Sequence, residues 1–287
     1  MRPKRGQKEV RSPDYKHPRP ATGYIARRYG GKLVYETRDE MGDIEVVDHL
    51  GTRSLFLGNA IKQSTLNFSK PTSLEFEYTQ AMAAGLLFSP EPQRVLVAGF
   101  GGGSLVSFLA HHYNCSIDVL EIREDLIEIG QNYFGVPESN AIQYFIGDAL
   151  EFFKSGQGFK YDLIFIDLYD SMGMSEKMRS FNLQSKAKGL LAPDGLCIFN
   201  LWTLPNSLSL ISMFYLKEVF GRQLAQLPCV DTSNLIAIGS KDDAFKISAA
   251  DLRKKAKSFD RAHDFSLTRH TETLIKENPN LFRKNLL

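Results

Sequence analysis

The chain has 287 residues, 43% of them hydrophobic, and its 35 basic and 33 acidic residues give a formal net charge of +2. These values are typical of a globular protein with room for one α/β domain and a smaller appendage. No run approaches the ~20 consecutive apolar residues of a membrane-spanning helix, and the first residues form no apolar signal-peptide core. We therefore expect a cytoplasmic protein with no membrane partner.

Basic residues crowd the first twenty positions, from Arg2 to Arg19. Such an arm can bind nucleic acid, but Tyr15 is its only aromatic residue, and this composition favours a disordered, solvated tail over residues 1–20. We expect no nucleic-acid partner.

Cysteine spacing argues against a metal site. The three cysteines are far apart and form no Cys/His ligand pattern, which predicts buried thiols in a reducing compartment and no bound metal. They are Cys115, Cys197 and Cys229.

The segment after the tail has the pattern of a small β domain. Three short, partly alternating runs (32–37, 43–48 and 52–57) are separated by turn signals, which predicts antiparallel strands within an N-terminal domain over residues 21–70. Apolar residues at helical spacing then predict a helix over residues 74–88, and the prolines after it end that helix.

From Arg94 onward, predicted strands and helices alternate. The predicted strands cover residues 95–98, 117–121, 142–146, 163–167 and 196–200, and the helices cover 104–111, 124–133, 149–154, 180–190 and 207–220. Because parallel strands need crossover connections, this order predicts an α/β domain with a mostly parallel, doubly wound sheet over residues 71–240. Residues 222–228 and 234–239 are expected to be a final strand pair, and residues 241–287 a helical extension.

The first strand of this alternation runs directly into a turn that contains Gly99, Gly101 and Gly102. Glycine lets a ligand approach the backbone closely, and the next strand ends at Glu121, where the ribose of a nucleoside presents its hydroxyls. A nicotinamide dinucleotide would use a similar turn, but its GxGxxG pattern has glycine where Ser104 stands. The turn and the carboxylate predict a nucleoside cofactor.

Acidic residues also end the next two strands. Asp148 follows the third strand and Asp167 ends the fourth, with Tyr169 and Asp170 just beyond. These carboxylates would repel phosphates and suit a positively charged sulfonium cofactor. They also suit an amine substrate, whose pKa of about 10 keeps it protonated at neutral pH. One carboxylate can orient and deprotonate the amine while the other binds a distal cation.

Trp202 follows the fifth strand, where a core or rim position is favoured over the wall of an amine channel.

At these residues the chain resembles the spermidine and spermine synthases, the polyamine aminopropyltransferases, over roughly residues 30–240. Residues 120–127 are similar to the family's E-I-D-x-x-V segment, and Gly147-Asp148 follows at a suitable distance. Asp167-Leu168-Tyr169-Asp170 stands where the family has D-S-S-D. The resemblance implies a class I methyltransferase-like Rossmann domain preceded by a small antiparallel β domain, and a homodimer.

The resemblance also implies roles for individual residues. The cofactor-binding residues would be Gly99, Gly101, Gly102, Glu121 for the ribose and Asp148 for adenine; the general base would be Asp167; and the substrate-binding residues would be Gln63, Tyr78, Tyr169 and Asp170. The implied reaction moves an aminopropyl group from decarboxylated S-adenosylmethionine, a co-substrate and not a tightly bound cofactor, to putrescine or a similar small amine. Methylthioadenosine would be released.

One position departs from the family pattern in a way that leaves alternatives open. Gly102 stands where the family has an aspartate that receives the amino group of the aminopropyl chain. Without that carboxylate, a methyltransferase that uses ordinary S-adenosylmethionine is an alternative. A protein that binds adenosyl nucleosides or polyamines without catalysis is another.

Overall fold

The computed structural model describes residues 27–155, 158–170, 173–204 and 206–282. The predicted basic tail over residues 1–20 lies outside these ranges. Among the described residues, none of the helices combines the length and the apolar character that crossing a membrane requires.

The N-terminal sheet has five antiparallel strands in sequential order: β1 (Arg27–Arg28), β2 (Gly31–Asp39), β3 (Gly42–His49), β4 (Thr52–Phe56) and β5 (Lys62–Asn67). The three alternating runs of the sequence correspond to β2, β3 and β4. Strand β5 was not predicted, because its sequence KQSTLN is too polar to show the alternation of a half-buried strand. It forms through pairing with β4.

The main sheet has seven strands in the order β13-β14-β12-β9-β6-β7-β8. Its members are β6 (Arg94–Ala98), β7 (Ser116–Glu121), β8 (Ile142–Ile146), β9 (Tyr161–Ile166), β12 (Leu191–Trp202), β13 (Leu224–Pro228) and β14 (Asn234–Ser240). The strands from β12 to β8 are parallel, and β14 and β13 are added antiparallel at one edge. The predicted α/β fold with a mostly parallel sheet is confirmed.

Helices cover both faces of this sheet. They are α1 (Glu77–Met82), α2 (Ser104–His112), α3 (Asp125–Tyr133), α4 (Ala149–Ser155), α5 (Phe181–Gly189), α6 (Asn206–Phe220), α7 (Ala249–Ala262), α8 (Thr268–Glu277) and α9 (Pro279–Phe282). Side chains alternate between two apolar cores: Val95 and Val97 of β6 enter one, and Leu96 and Ala98 enter the other. This two-residue period is why the strands, which are buried on both faces, read as continuous apolar runs.

Three local features differ from the sequence prediction. The helix expected over residues 74–88 is the short α1 followed by a 3₁₀ helix at Ala83–Leu87. In that turn a Cβ on Gly85 would lie 3.0 Å from the Ile198 side chain, so close packing on the sheet shapes this segment. Strand β12 begins at Leu191, before the predicted start at residue 196, and its register with β9 shifts between Leu191 and Leu196. A short hairpin of β10 (Tyr169–Asp170) and β11 (Gly173–Met174) follows β9.

The N-terminal sheet is joined to the main domain by a buried ion pair. Nε and Nη2 of Arg123, directly after β7, donate to the two carboxylate oxygens of Asp39 at 2.7 and 2.8 Å. Nη2 also donates to the carbonyl oxygen of Gly42 at 2.9 Å. These contacts hold the turn between β2 and β3 beside the carboxyl end of β7.

Candidate active site

A cavity of about 600 Å³ lies at the carboxyl ends of the parallel strands. Strand order reverses between β6 and β9, and such a switch point is where open α/β sheets bind their ligands. The lining comes from the ends of β6, β7, β9 and β12, from α1, and from β5 of the N-terminal sheet. The unpredicted strand β5 therefore helps to close the site.

The glycine turn after β6 forms one wall of this cavity. Gly99 has a φ of +94°, and a Cβ there would overlap the carbonyl oxygen of Asp167. Both constraints require glycine at this position. Gly101 lines the cavity next to it. The turn thus brings two of the predicted site segments, after β6 and after β9, into direct contact.

Glu121 is held rigidly at the end of β7. One oxygen, Oε2, accepts from the backbone N–H of Phe100 at 2.8 Å, and Oε1 accepts from Ile122 and Arg123 at 2.8 and 2.9 Å. A carboxylate offers about four acceptor positions, so one on Oε2 remains for a ligand hydroxyl. The carboxylate lines the cavity and its residue is 7% exposed.

Asp148, like Gly102, does not belong to the cavity lining. Its Oδ1 caps α4 by accepting from the N–H of Leu150 at 2.8 Å, and its Oδ2 is ion-paired with Lys177, which does line the cavity. Burial acts to raise the pKa of this carboxyl, but the Lys177 ammonium and the backbone donors outweigh it and leave the pKa lowered. A ligand would have to compete with Lys177 for this carboxylate.

Asp167 lies at the floor of the cavity and accepts hydrogen bonds from two neutral side chains. Nδ2 of Asn200 donates to its Oδ1 at 2.7 Å, and the hydroxyl of Tyr78 donates to the carboxylate. Burial raises its pKa to about 6, although both hydrogen bonds favour the ionised form. At neutral pH the carboxylate is therefore ionised, partly buried and close to the pKa that suits a general base.

Aromatic side chains surround this carboxylate. Tyr78 stacks on Phe76, with ring centroids 5.7 Å apart, and burial followed by the charge of Asp167 raises the Tyr78 pKa. The hydroxyl of Tyr169 is buried and makes no hydrogen bond of normal geometry within the described part of the chain. Trp202 also lines the cavity, and its ring lies where a Cβ on Gly173 would be.

The other predicted substrate residues are placed as follows. Gln63 lines the cavity from β5. Asp170 pairs with Gly173 in the β10–β11 hairpin, and the described part of Asp170 is its backbone. The contacts of its carboxylate thus lie outside the described atoms.

The space that a side chain at position 102 would need is occupied by β5. A Cβ on Gly102 would lie 2.7 Å from the Ser64 Cβ. The Ser64 hydroxyl is hydrogen-bonded to that of Ser104 at 2.7 Å, and both serines line the cavity. Two neutral hydroxyls therefore lie beside the residue that would carry the family's carboxylate.

Sequence reasoning did not single out several residues that line the cavity or contact its carboxylates. They are Ser64, Lys177, Asn200 and Asn234. Only Asn200 had a local signal, because it is a polar residue that ends an otherwise apolar strand in the same sheet.

Comparison with known proteins finds a known domain family that is similar to part of this chain. Residues 75–204 match the spermine/spermidine synthase domain. This confirms the resemblance that the sequence motifs predict. The chain thus has the fold of these synthases and of methyltransferases, and part of it is similar in sequence to the synthase domain.

Two curated relatives have different activities in their names. The chain is 29% identical over 196 residues to the polyamine aminopropyltransferase of Vibrio vulnificus, an alignment that covers 66% of this chain and 65% of that protein. It is 36% identical over 144 residues to the human eEF1A lysine and N-terminal methyltransferase. That alignment covers 44% of this chain and about a fifth (21%) of the human protein.

Two solved structures have the same architecture. Human methyltransferase-like protein 13 in complex with SAH has a TM-score of 0.59 at 28% identity, covering 65% of this chain and 92% of that one. Spermidine synthase in complex with the transition-state analogue AdoDATO has a TM-score of 0.68 at 17% identity, covering 86% and 88%. The second similarity supports the fold alone.

Proposed function

We propose that this protein transfers an aminopropyl group from decarboxylated S-adenosylmethionine to a small amine, with Asp167 as the general base. The observation that carries the proposal is the environment of Asp167. This ionisable carboxylate has a pKa near 6 and lies at the floor of the cavity, against the glycine turn. The matched domain and the Vibrio relative support the aminopropyl chemistry.

The charges of the cavity suit a cationic donor. Its acidic lining residues are Glu75, Glu77, Glu121 and Asp167. The basic lining residues are Lys62, Arg123 and Lys177, and the last two are neutralised by Asp39 and Asp148, which lie outside the lining, so Lys62 stands against four carboxylates. The remaining negative potential favours a sulfonium compound and an ammonium substrate over a phosphate-bearing nucleotide.

The donor would occupy the glycine turn and the end of β7. Its ribose would donate a hydroxyl hydrogen bond to the open position on Oε2 of Glu121, and Gly99 and Gly101 would allow close approach of the nucleoside. We also propose that Asp148 accepts a hydrogen bond from the adenine amino group after its ion pair with Lys177 has broken. Gln63 of β5 would contact the donor and the amine.

The acceptor amine would lie between Asp167 and the aromatic side chains. Tyr78, Tyr169 and Trp202 form an apolar wall for an alkyl chain, and the unpartnered Tyr169 hydroxyl can bond to a polar group on it. Asp170 is proposed to bind a distal cation. Burial next to the positive sulfonium of the bound donor would lower the amine pKa from about 10 toward that of Asp167, which makes the proton transfer feasible.

The chemical step is a substitution at carbon. The amine gives one proton to Asp167, and its lone pair attacks the aminopropyl carbon bonded to the sulfonium sulfur, in line with the C–S bond. That bond breaks, its electron pair stays on sulfur, and methylthioadenosine leaves as a neutral thioether. The protein contributes mainly by positioning the two reactants.

Methyl transfer from ordinary S-adenosylmethionine is the second candidate. It is favoured by Gly102, because Ser64 occupies the space beside it and no carboxylate is available there for the aminopropyl amine. Human methyltransferases are also among the proteins similar to this chain. The acceptor would again be an amine deprotonated by Asp167, here a small amine or an amino group of a protein.

Incubation of the protein with either donor and a panel of amines tests the proposal. Aminopropylated amine together with methylthioadenosine is expected from the decarboxylated donor. The Asp167→Asn variant should bind the donor in calorimetry and lose turnover, whereas Asp125→Asn, at an exposed position on α3, should retain both. Full turnover by Asp167→Asn would remove this residue from the mechanism.

A further inference from the structure

Two asparagines extend the hydrogen bonding of Asp167 across the sheet. Nδ2 of Asn200 donates to Oδ1 of Asp167 at 2.7 Å, and Nδ2 of Asn234 donates to Oδ1 of Asn200 at 2.9 Å. Asn200 lies on β12 and is 2% exposed. Asn234 begins β14, where it pairs with Trp202 in the antiparallel ladder. We call Asn234, Asn200 and Asp167 the amide relay.

The backbone register places these three side chains on one face of the sheet. Phe199 of β12 pairs with Ile166, the last residue of β9, so Asn200 and Asp167 each follow one of these two paired residues. Asn200 and Trp202 point to the same face because they are two residues apart. Since Asn234 lies opposite Trp202, it shares that face, and the amide relay follows from the pairing of three neighbouring strands.

The hydrogen bonds of the amide relay are stable in only one direction. An ionised carboxylate can only accept hydrogen bonds, so it selects the NH₂ group of Asn200. The carbonyl oxygen of Asn200 then needs a donor, and the NH₂ group of Asn234 provides it. If the Asn200 amide were rotated by 180°, its oxygen would face the Asp167 carboxylate. Its NH₂ group would then face the NH₂ group of Asn234. Both contacts therefore select the same orientation.

We propose that Asn200 and Asn234 are positioning residues that keep Asp167 ionised and fix its carboxylate toward the acceptor amine. This inference rests on the proposed function, in which Asp167 is the base. Hydrogen bonds from Asn200 and from the Tyr78 hydroxyl leave about two of the four acceptor positions of the carboxylate open. A fixed carboxylate presents these open positions to the amine in a constant direction.

A contrast with Asp39 shows why neutral donors are used here. Burial opposes ionisation of Asp39 too, but the Arg123 guanidinium bound to it leaves its pKa lowered. Asp167 has neutral donors, and its pKa stays near 6. A carboxylate with a guanidinium partner would be a poor base, whereas amide donors stabilise the charge without removing its basicity.

Titration of Asp167 by NMR tests the amide relay without any need for turnover. The carboxyl carbon signal would be assigned by its loss in Asp167→Asn. Asn200→Leu is expected to raise the pKa of Asp167 by about one unit, since it removes a hydrogen bond to the charged form. Asn234→Leu should raise it by less. The facing phenols, Tyr78 and Tyr169, have raised pKa values and stay neutral throughout this titration.

The double variant distinguishes a relay from two separate local effects. If Asn234 acts through Asn200, Asn200→Leu/Asn234→Leu has the same Asp167 pKa as Asn200→Leu alone. Additive shifts, or an unchanged pKa in Asn200→Leu, would overturn the proposal. Asn132→Leu, at an exposed position on α3, is the matched control and should leave the pKa unchanged. Asn234 is only partly buried, so its variant remains informative if leucine at position 200 prevents folding.

Kinetics provide the second measurement. At pH 6 a one-unit rise in the pKa of Asp167 lowers the ionised fraction, and with it kcat, about fivefold, while KM for the donor is expected to stay unchanged. Activity restored at pH 8 would support a role in ionisation, and a loss that is equal at all pH values would contradict it. A wild-type protein that transfers no group would contradict the proposed function, and the titration would still decide whether the amide relay exists.

Discussion

Replacing the base should make this protein less active and more stable. Burial raises the pKa of Asp167 from its ordinary value of 3.8 to about 6. This shift of about two units corresponds to about 3 kcal/mol of stability that is present below pH 4 and lost as the pH rises through 6. Above pH 6 the folded state therefore contains an ionised carboxylate that burial disfavours. Asp167→Asn removes this charge and retains an oxygen that can accept from Asn200.

The expected stability gain depends on pH. At pH 8, Asp167→Asn should unfold with a free energy up to about 3 kcal/mol higher than the wild type, which raises Tm by roughly 5–10 °C. At pH 4 the wild-type carboxyl is protonated and the difference should vanish. Urea unfolding at the two pH values measures it, with Asp125→Asn as the control for loss of an exposed charge.

Activity should change in the opposite direction. Loss of a general base typically costs roughly a hundredfold or more in kcat, and wild-type kcat should rise with pH through a midpoint near 6. An Asp167→Asn variant that is less stable at pH 8, or a wild-type rate that is constant between pH 5 and pH 7, would refute this account of the site.

Three further variants test other parts of the structure. Asp39→Ala should lower the free energy of unfolding by about 3 kcal/mol, because it leaves the Arg123 guanidinium buried without its carboxylate partner. Urea unfolding measures this difference, and a loss below 0.5 kcal/mol would contradict the prediction. Lys177→Met should tighten donor binding about tenfold in calorimetry by freeing the Asp148 carboxylate, and weaker binding would mean that Lys177 itself holds the donor. Gly102→Asp combined with Ser64→Gly, which removes the Ser64 Cβ and with it the 2.7 Å contact, should raise the preference for the decarboxylated donor over the ordinary one at least tenfold, and an unchanged preference would exclude this position from donor selection.

Much of the fold follows from local sequence patterns. The strands that carry Gly99, Glu121 and Asp167 are buried on both faces, so each forms a short apolar run followed by the residues of the site, and these ends could be located without a structure. Their convergence then follows from the general geometry of parallel sheets. This is why the sequence located the glycine turn and two of the cavity carboxylates, Glu121 and Asp167.

The remaining features depend on partners that are distant in sequence. Strand β5 is too polar to be recognised alone, yet its Ser64 occupies the space beside Gly102. Asp148 follows a strand as expected, but its ion pair with Lys177 depends on the segment after the β10–β11 hairpin. The link from Asn234 to Asn200 requires the register between β12 and β14. Periodicity along one segment contains no information about such pairings.

Competition between the two donors tests the central claim most directly. The protein would be given equal concentrations of decarboxylated and ordinary S-adenosylmethionine with putrescine, and the nucleoside products would be measured over time by mass spectrometry. The account predicts that methylthioadenosine accumulates together with an aminopropylated amine, and that Asp167→Asn abolishes both. Accumulation of S-adenosylhomocysteine and a methylated amine instead would contradict aminopropyl transfer and support methyl transfer.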